Sequence, residues 1–537
     1  MLLADGAPPG EIAICGERIK SMRAIKSKLF VISGVILGTA IVCSIALAQI
    51  TGPVTNAVVG PLPPPAIPPN LIKLTPVEQL GKFMLYDHTL SNPSGYACAT
   101  CHVLQTGFTG PNSEVNLFGG EQPGVVPGRF GNRKPQMYAY AAFSPVGPVF
   151  MANLGVWIGG DFWDGRVPDL SGQAKQPPLN PNEMNNTPVG PFPPLQGGFS
   201  PLLAEKLKNR PYTHLFLQVF GQDAFAKFPP QQIYELFALA TAAYESSGEV
   251  NGFSSKYDAS KFGTPAQNLY TLTASEERGR QLYFGQAQCF QCHSSAGLPG
   301  VQAITQGKDT FTMYCFANIG VPKNLGNPFY QETDPVTNPH GFNPQGTNFI
   351  DFGLGANPNP APDGTRFFKN VPGDIVQFRG LFQTPSNRNV DKRPSPSFVK
   401  AYMHNGVFKS LQDVVHFYNK RNIAVNASGQ EVAFDLRQGP PAGFTPLFPP
   451  PEVLDNVQNV AGVTPAQATA ATESNGQVGN LQLTAQQEQD LVNFLSILSD
   501  GFTKPNPVSS QQSAERRGRG NGSNQVEVPG QQSPGQS

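Results

Sequence analysis

Two five-residue motifs of the form C-x-x-C-H constrain this chain of 537 residues more than any other feature. Only seven cysteines are present, so chance would produce such a motif far less than once. In this pattern the two thiols form thioether bonds with haem c, and the adjacent histidine becomes the proximal ligand of the iron. The sequence therefore predicts two covalently attached haem c groups. The residues involved are Cys98, Cys101 and His102 in the first motif and Cys289, Cys292 and His293 in the second.

Two other uses of paired cysteines fit these motifs less well. A zinc site needs further Cys or His ligands, which neither neighbourhood supplies. A thioredoxin-type C-x-x-C has no trailing histidine and lies in a strand–helix–strand setting. Covalent haem attachment is therefore the interpretation carried forward.

The N-terminal region is typical of an exported protein. An apolar run from Leu29 to Ala48 follows several basic residues and ends in a small-x-small pattern, as signal peptides do. A run of this length could also stay in place and span a bilayer. Residues 1–48 are therefore predicted to be a signal peptide or an N-terminal anchor, and the Pro-rich residues 49–70 a linker. Either alternative predicts a location in the periplasm or cell envelope.

The charge balance limits the partners of the chain. Lys and Arg together number 37, as do Asp and Glu, which excludes nucleic-acid binding driven by bulk basic charge. Membrane contact is expected only through the possible N-terminal anchor. Hydrogen peroxide or dioxygen could bind to a haem iron that lacks a sixth ligand. The residues available as sixth ligands therefore decide whether each haem can react with them.

The sequence predicts a mostly α fold with short helices and long loops, because Gly and Pro number 56 and 54 and no sustained strand alternation occurs. Two cytochrome-c-like haem domains are expected, over 71–265 and 266–505, followed by a disordered tail over 506–537. The predicted helices cover residues 75–85, 230–246, 273–284, 410–419 and 484–498.

The supply of sixth ligands differs between the two motifs. No histidine occurs between His102 and His214, so the first haem is expected to keep one open face. The Met residues in that interval are Met137, Met151 and Met184. For the second haem the candidate ligands are Met403, His404, His416 and Tyr418.

Several longer stretches surround these motifs. They are Phe83–Asp87, Phe162–Arg166, Gln173 with Pro177, Glu183–Met184, Thr384–Val390 and Ala401–Gly406. In this order they resemble the bacterial di-haem cytochrome c peroxidases and their MauG-type relatives, over about residues 75–500. The resemblance implies an oxidoreductase that acts on hydrogen peroxide. Its partner would be a small electron donor, either a cytochrome c or a cupredoxin, or a protein substrate.

The resemblance also implies roles for individual residues. His102 would ligate the peroxide-binding haem and His293 the electron-transfer haem. Trp163 would lie between the two haems, and Glu183 would act as the distal acid and base. Gln173 matches a distal-pocket position of the MauG-type enzymes. A histidine that caps the first haem in the peroxidases has no counterpart here, so the first haem is expected to stay open.

Three further positions follow from the family pattern. Tyr418 lies fourteen residues after His404, where the second haem has its distal ligand, Met in the peroxidases and Tyr in MauG-type proteins. Arg388 is expected to bind a haem propionate. An inter-haem calcium ion is also implied, but Asn132-Arg133 reverses the order of the Arg-Asn pair that is usual there.

Other interpretations remain open at this point. Trp163 and Tyr418 could be packed aromatic side chains, Glu183 a loop carboxylate, and Arg388 part of a structural turn. The whole protein could be a peroxidase with an external donor, a MauG-type oxidase that modifies a partner protein, or a non-catalytic di-haem electron carrier. An oxygenase that acts on a polymer is a fourth possibility.

Overall fold

Short helices make up most of the regular structure in the computed structural model. The structure describes residues 73–151, 156–187, 198–262, 270–332, 343–356, 378–457 and 478–502. In the first half the helices are α1 (Pro76–Leu85), α2 (Ser113–Phe118), α3 (Leu170–Ala174), α4 (Gln176–Leu179), α5 (Pro201–Lys206), α6 (Thr213–Phe220), α7 (Ala224–Lys227), α8 (Pro230–Glu245) and α9 (Lys256–Phe262). In the second half they are α10 (Ala274–Phe284), α11 (Pro299–Ile304), α12 (Leu411–Lys420) and α13 (Ala485–Ser496). The prediction of a mostly α fold is therefore confirmed for these residues.

The five helices predicted from sequence are confirmed, with bounds that shift by one or two residues. Their starts follow from capping chemistry. Thr75 and Thr273 each accept a hydrogen bond from the backbone N–H of a glutamate three residues later, and that glutamate side chain accepts from the backbone N–H of the threonine. Thr484 makes the same capping box with Gln487. Polar side chains thus satisfy the first N–H groups of α1, α10 and α13, whereas α8 begins at Pro230 without a side-chain cap.

The two halves repeat one helix-packing arrangement. Helix α1 packs on α8 in the first half, and α10 packs on α13 in the second. At each crossing a glycine allows the backbones to touch: a Cβ on Gly81 would lie 1.8 Å from the Ala240 carbonyl oxygen, and a Cβ on Gly279 would lie 1.9 Å from that of Asp490. Both glycines are six residues after the capping threonine. Each half therefore brings the helix before its C-x-x-C-H motif against a later helix in the same way.

Three small sheets supplement the helices, although no strand was expected. Strands this short carry too few residues for an alternating pattern to show in the sequence. The sheets pair β1 with β2, β3 with β4, and β6 and β7 with the two edges of β5. The strands are β1 (Val149–Met151), β2 (Val156–Ile158), β3 (Phe316–Ala317), β4 (Phe382–Gln383), β5 (Ile423–Asn426), β6 (Glu431–Ala433) and β7 (Phe444–Pro446).

The described residues up to Gly501 belong to one compact unit. The expected boundary between residues 265 and 266 stays a prediction. The predicted signal or anchor at 1–48, the linker at 49–70 and the tail at 506–537 lie outside the described residues. Within the described residues, no helix combines the length and apolar character needed to cross a membrane.

Candidate active site

The first C-x-x-C-H motif forms a single tight turn that presents its histidine. Cys98–Thr100 is a 3-10 turn, and the backbone N–H of His102 donates to the carbonyl of Cys98 over 3.1 Å. Nδ1 of His102 donates to the carbonyl of Phe108 over 2.9 Å, so Nε2 is the nitrogen left for a metal. Burial lowers the pKa of His102 to about 4, which keeps the imidazole in the neutral form that ligates iron.

The second motif has the same geometry. Cys289–Gln291 is a 3-10 turn, and the backbone N–H of His293 donates to the carbonyl of Cys289 over 2.9 Å. Nδ1 of His293 donates to the carbonyl of Pro385 over 3.0 Å, and burial lowers the pKa of His293 to about 4. The thiols of both motifs are partly buried. The two donor sets therefore fit two haem groups of the c type.

Glu183 lies beside the first motif. Its carboxyl Oε1 accepts a hydrogen bond of 2.7 Å from the side-chain amide of Asn180. Burial raises the pKa of Glu183, and the Arg166 cation and the Asn180 bond only partly oppose this. Burial and then the Glu183 carboxylate raise the pKa of Cys101, so this carboxylate is within electrostatic reach of the first motif. Glu183 is therefore a carboxyl group with a raised pKa within electrostatic reach of the first motif.

Arg166 organises the loop between Trp163 and Glu183. Its Nε donates to Oε1 of Gln176 over 2.8 Å, and its guanidinium pairs with Asp164 over 3.1 Å. The predicted pocket residue Gln173 is half-buried on α3, immediately before the helix that carries Gln176. Sequence reasoning singled out neither Gln176 nor Asn180, because their polar contacts depend on the path of the loop.

Trp163 is held by hydrogen bonds to both halves of the chain. Its side chain is buried, and the indole Nε1 donates to the carbonyl of Lys134 over 3.1 Å. Its own carbonyl accepts from the backbone N–H of Gln383 over 2.8 Å. Lys134 lies in the first half of the chain and Gln383 in the second. Trp163 is thus a fixed connection between them.

A short series of covalent and hydrogen-bonded steps joins the two histidines through this tryptophan. On the first side, the carbonyl that accepts from His102 belongs to Phe108, and the next residue, Thr109, donates through its hydroxyl to the carbonyl of Pro135 over 2.6 Å. Lys134 precedes Pro135 and accepts from the Trp163 indole. On the second side, Gln383 is two residues before Pro385, the acceptor of His293. From the first histidine to the second, the connected residues are His102, Phe108, Thr109, Pro135, Lys134, Trp163, Gln383, Thr384, Pro385 and His293.

Tyr418 lies near the second motif. Burial raises the pKa of Tyr418, and the thiols of Cys292 and Cys289 raise it further, whereas the Arg421 cation lowers it. These interactions require that the phenol is within electrostatic reach of both cysteines. Arg421 is buried and donates to the carbonyl of Val478 over 2.9 Å. Arg421 is a neighbour that sequence reasoning did not single out.

Two of the alternative ligands for the second haem have other partners. His404 is buried and its ring stacks on Phe382 with 3.6 Å between ring centroids. His416 bonds through Nδ1 to Oε1 of Glu488 over 3.0 Å. Nε2 of His404 has no hydrogen-bond partner among the described residues, so the assignment of Tyr418 as the ligand of the second haem stays a prediction.

Proteins of a known family are similar to this chain. The family model described as Di-haem cytochrome c peroxidase matches residues 76–265. The methylamine utilization protein MauG of Paracoccus denitrificans (strain Pd 1222) is 31% identical over 346 residues, which make up 64% of this chain and 73% of that protein. The chain belongs to the di-haem cytochrome c peroxidase family. It is an oxidoreductase of this class, and the family description implies haem as its cofactor.

Two further relatives of this di-haem enzyme cover more of the chain. The cytochrome-c peroxidase IdrP1 of Pseudomonas sp. (strain SCT) is 27% identical over 395 residues, which make up 71% of this chain and 82% of that protein. The crystal structure of the diheme peroxidase BthA from Burkholderia thailandensis has a TM-score of 0.55 and 25% identity, over 82% of this chain and 91% of that chain. The relatives of this chain thus include both proteins named peroxidase and a protein named MauG.

Arg388 has a different partner from the one expected in this family. Its side chain has 0% exposed surface and forms two hydrogen bonds of 2.8 Å with the Asp258 carboxylate. Its Nε donates to the carbonyl of Asp309 over 2.8 Å, and the ring of Phe253 covers the guanidinium. The structure thus places Arg388 in a buried ion pair with Asp258, and the expectation that it binds a propionate stays a prediction.

The residues at the expected calcium position do not fit that ion. Arg133 places its guanidinium between two carboxylates, bonding Asp351 over 2.6 and 2.7 Å and Asp164 over 2.8 Å. The side-chain amide nitrogen of Asn132 also donates to Asp351, over 3.1 Å. Among the described residues, no group of three or more His, Cys, Asp or Glu could hold a metal. Calcium therefore has no part in the mechanism proposed below.

Proposed function

We propose that this chain is an exported di-haem c-type cytochrome peroxidase, which reduces hydrogen peroxide to water with electrons from a small redox protein. The cysteines of each motif would hold one haem c covalently, with His102 and His293 as proximal iron ligands. The first haem would keep an open distal face, and Tyr418 would ligate the second. The observation that carries the proposal is Glu183, a half-buried carboxyl with a raised pKa beside the first motif.

Haem iron would supply the coordination site for peroxide and pass on the electrons that reduce it. Glu183 takes the proton from the inner peroxide oxygen and gives it to the outer oxygen, so that the outer oxygen leaves as water. Asn180 fixes Oε1 of this carboxyl, which directs proton exchange to Oε2. The raised pKa makes the carboxyl a stronger base than an exposed glutamate and allows it to return the proton.

Trp163 carries electrons between the two halves. Each turnover needs two electrons and two protons, which convert one hydrogen peroxide into two waters. One electron at a time crosses from the second haem site to the first through the buried indole, whose hydrogen bonds to Lys134 and Gln383 hold it in one position. The donor, a cytochrome c or a cupredoxin, delivers electrons to the second site.

The change of Glu183 to Gln tests this proposal. The amide keeps the shape of the side chain but cannot exchange the proton, so peroxide turnover with a generic donor should fall by about two decades or more. The absorption spectra of both haems should stay nearly intact. The control is Glu205→Gln, which removes an exposed carboxylate that pairs only with Lys208 on the surface. Unchanged turnover in Glu183→Gln would exclude the assigned role.

A MauG-type oxidase that modifies a partner protein is the second candidate. The 31% identity to MauG of Paracoccus denitrificans and the position of Tyr418 favour it. The two functions differ in where the electrons come from. A small redox protein supports continuous peroxide turnover in a peroxidase, whereas a protein-modifying oxidase leaves a covalent change in its partner that mass spectrometry would detect.

A further inference from the structure

A buried lysine lies over the ring of Trp163. The Nζ atom of Lys134 is 5.5 Å from the centre of the indole ring. Two acceptors hold it there: the hydroxyl of Thr109 at 3.3 Å and the carbonyl of Pro135 at 3.2 Å. The same residue accepts the indole N–H through its backbone carbonyl. Lys134 therefore contacts Trp163 in two ways. Its backbone carbonyl accepts the indole N–H, and its ammonium group lies over the indole ring.

The Lys134 ammonium remains charged in neutral solution. Burial lowers the pKa of Lys134 to about 8, and the Glu121 carboxylate opposes this. The two acceptors of the ammonium that the structure describes, Thr109 and Pro135, are both uncharged. A cation in this position is stabilised by the neutral indole face. It is destabilised by an indole that has lost an electron, because like charges at this distance repel inside a protein.

We propose that Lys134 controls how readily Trp163 gives up an electron, and so limits the lifetime of the oxidised indole. This inference rests on the proposed function, in which hydrogen peroxide is the oxidant. Trp163 gives one electron toward the first haem site and regains one from the second, so its own oxidation state is unchanged after each transfer. The ammonium keeps the intermediate state high in free energy. The tryptophan is then a transient carrier and not a site where the oxidising equivalent accumulates.

The test compares variants at position 134 that differ in charge but retain donor groups. Lys134→Gln removes the charge and can still donate to Thr109 and Pro135, whereas Lys134→Arg keeps both the charge and donors. Lys134→Met removes both and provides a second neutral variant if the glutamine variant does not fold. Lys409→Gln is the matched control, because Lys409 also donates to backbone carbonyls, at 2.8 Å and 2.6 Å, but makes no cation–π contact with Trp163 among the described contacts.

The haem-loaded proteins are mixed with one equivalent of hydrogen peroxide and frozen at set times. The tryptophan radical is counted by EPR, and oxidised Trp163 is then measured by peptide mass spectrometry. We expect both to rise at least tenfold in the neutral variants and to stay within twofold of wild type in Lys134→Arg and Lys409→Gln. Equal values in the neutral variants and wild type would overturn the inference. An equal rise in Lys134→Arg would also overturn it, because a loss of packing and not of charge would then be responsible.

Failure of the proposed function gives a different result. In that case peroxide leaves the EPR signal of the second haem unchanged in the wild-type protein itself. A wild-type protein in which peroxide alters that signal, together with neutral variants that match it, contradicts only the role of Lys134.

Discussion

At the residue scale, both proximal histidines have the same kind of partner. His102 and His293 each donate through Nδ1 to a backbone carbonyl, at 2.9 and 3.0 Å, and burial lowers the pKa of each to about 4. Equal partners give the two imidazoles similar basicity. We therefore expect differences between the haems to come from the other side chains near each motif, Glu183 at the first and Tyr418 at the second.

Replacement of Tyr418 tests that asymmetry. Ferric wild-type protein should give one high-spin and one low-spin haem by EPR, the second being the haem with two ligands. Tyr418→Phe removes the phenol oxygen, and we expect the low-spin signal to convert to high spin while the first haem is unchanged.

Tyr330→Phe serves as the control, because that phenol bonds to Glu452 over 3.3 Å and has no place among the candidate ligands. A low-spin signal that survives in Tyr418→Phe would assign the ligand to another residue.

At the scale of elements, the two helix crossings depend on glycine. Nothing larger than a hydrogen atom fits between Gly81 and the Ala240 carbonyl, or between Gly279 and that of Asp490. The helix that follows each capping threonine can therefore approach its partner only if this position has no side chain.

Alanine at either crossing should destabilise the fold. Overpacking of a fixed contact costs about 1–3 kcal/mol, and the methyl group here meets backbone that cannot rotate away. Gly81→Ala and Gly279→Ala should each lower the free energy of unfolding by at least this amount in urea titrations.

Gly300→Ala is the matched control, since Gly300 is also helical and has no atom within 4 Å of its added Cβ. We expect no loss of stability in that variant. A similar loss in all three would show that the crossings are not special.

At the scale of the whole molecule, buried ion pairs join distant parts of the chain. Arg133 bonds Asp351, and Arg388 bonds Asp258, so each half supplies one arginine and one aspartate to these two ion pairs. Burial alone would raise the pKa of Asp351, but Arg133 outweighs it and holds the pKa at about 2. Burial would likewise raise the pKa of Asp258, but Arg388 outweighs it, so the pKa of Asp258 is lowered.

These carboxylates predict the response of the fold to acid. A carboxyl whose pKa is lowered on folding stabilises the protein above its unfolded pKa, and this contribution is lost as the pH falls. For Asp351 the window runs from the ordinary aspartate pKa of 3.8 down to a pKa of about 2, and the loss amounts to about 2 kcal/mol. The free energy of unfolding, measured from pH 5 to pH 2, should decline accordingly.

Asp351→Asn should be less stable at pH 5 and should lose less stability in this interval. A variant that declines as steeply as the wild type would show that Asp351 does not titrate with folding.

Sequence reasoning reached the features that are encoded locally. The caps at Thr75 and Thr273 specified helix starts because a capping box needs only four residues. Contacts between distant segments could not be predicted from local sequence patterns. The partner of Arg388, for example, is 130 residues away in the chain. The packing of Gly81 on α8 and the placement of Lys134 over Trp163 likewise depend on how the loops return, which no local pattern specifies.

The stretch from Gln383 to Pro385 serves both the tryptophan and the second proximal histidine. Its first residue donates to the Trp163 carbonyl, and its last accepts from His293. A displacement of this tripeptide would weaken the electronic route and alter the basicity of the iron ligand at the same moment. If Trp163 carries electrons as proposed, conduction and redox tuning at the second centre share this one tripeptide, and we expect a mutation that displaces it to disturb both.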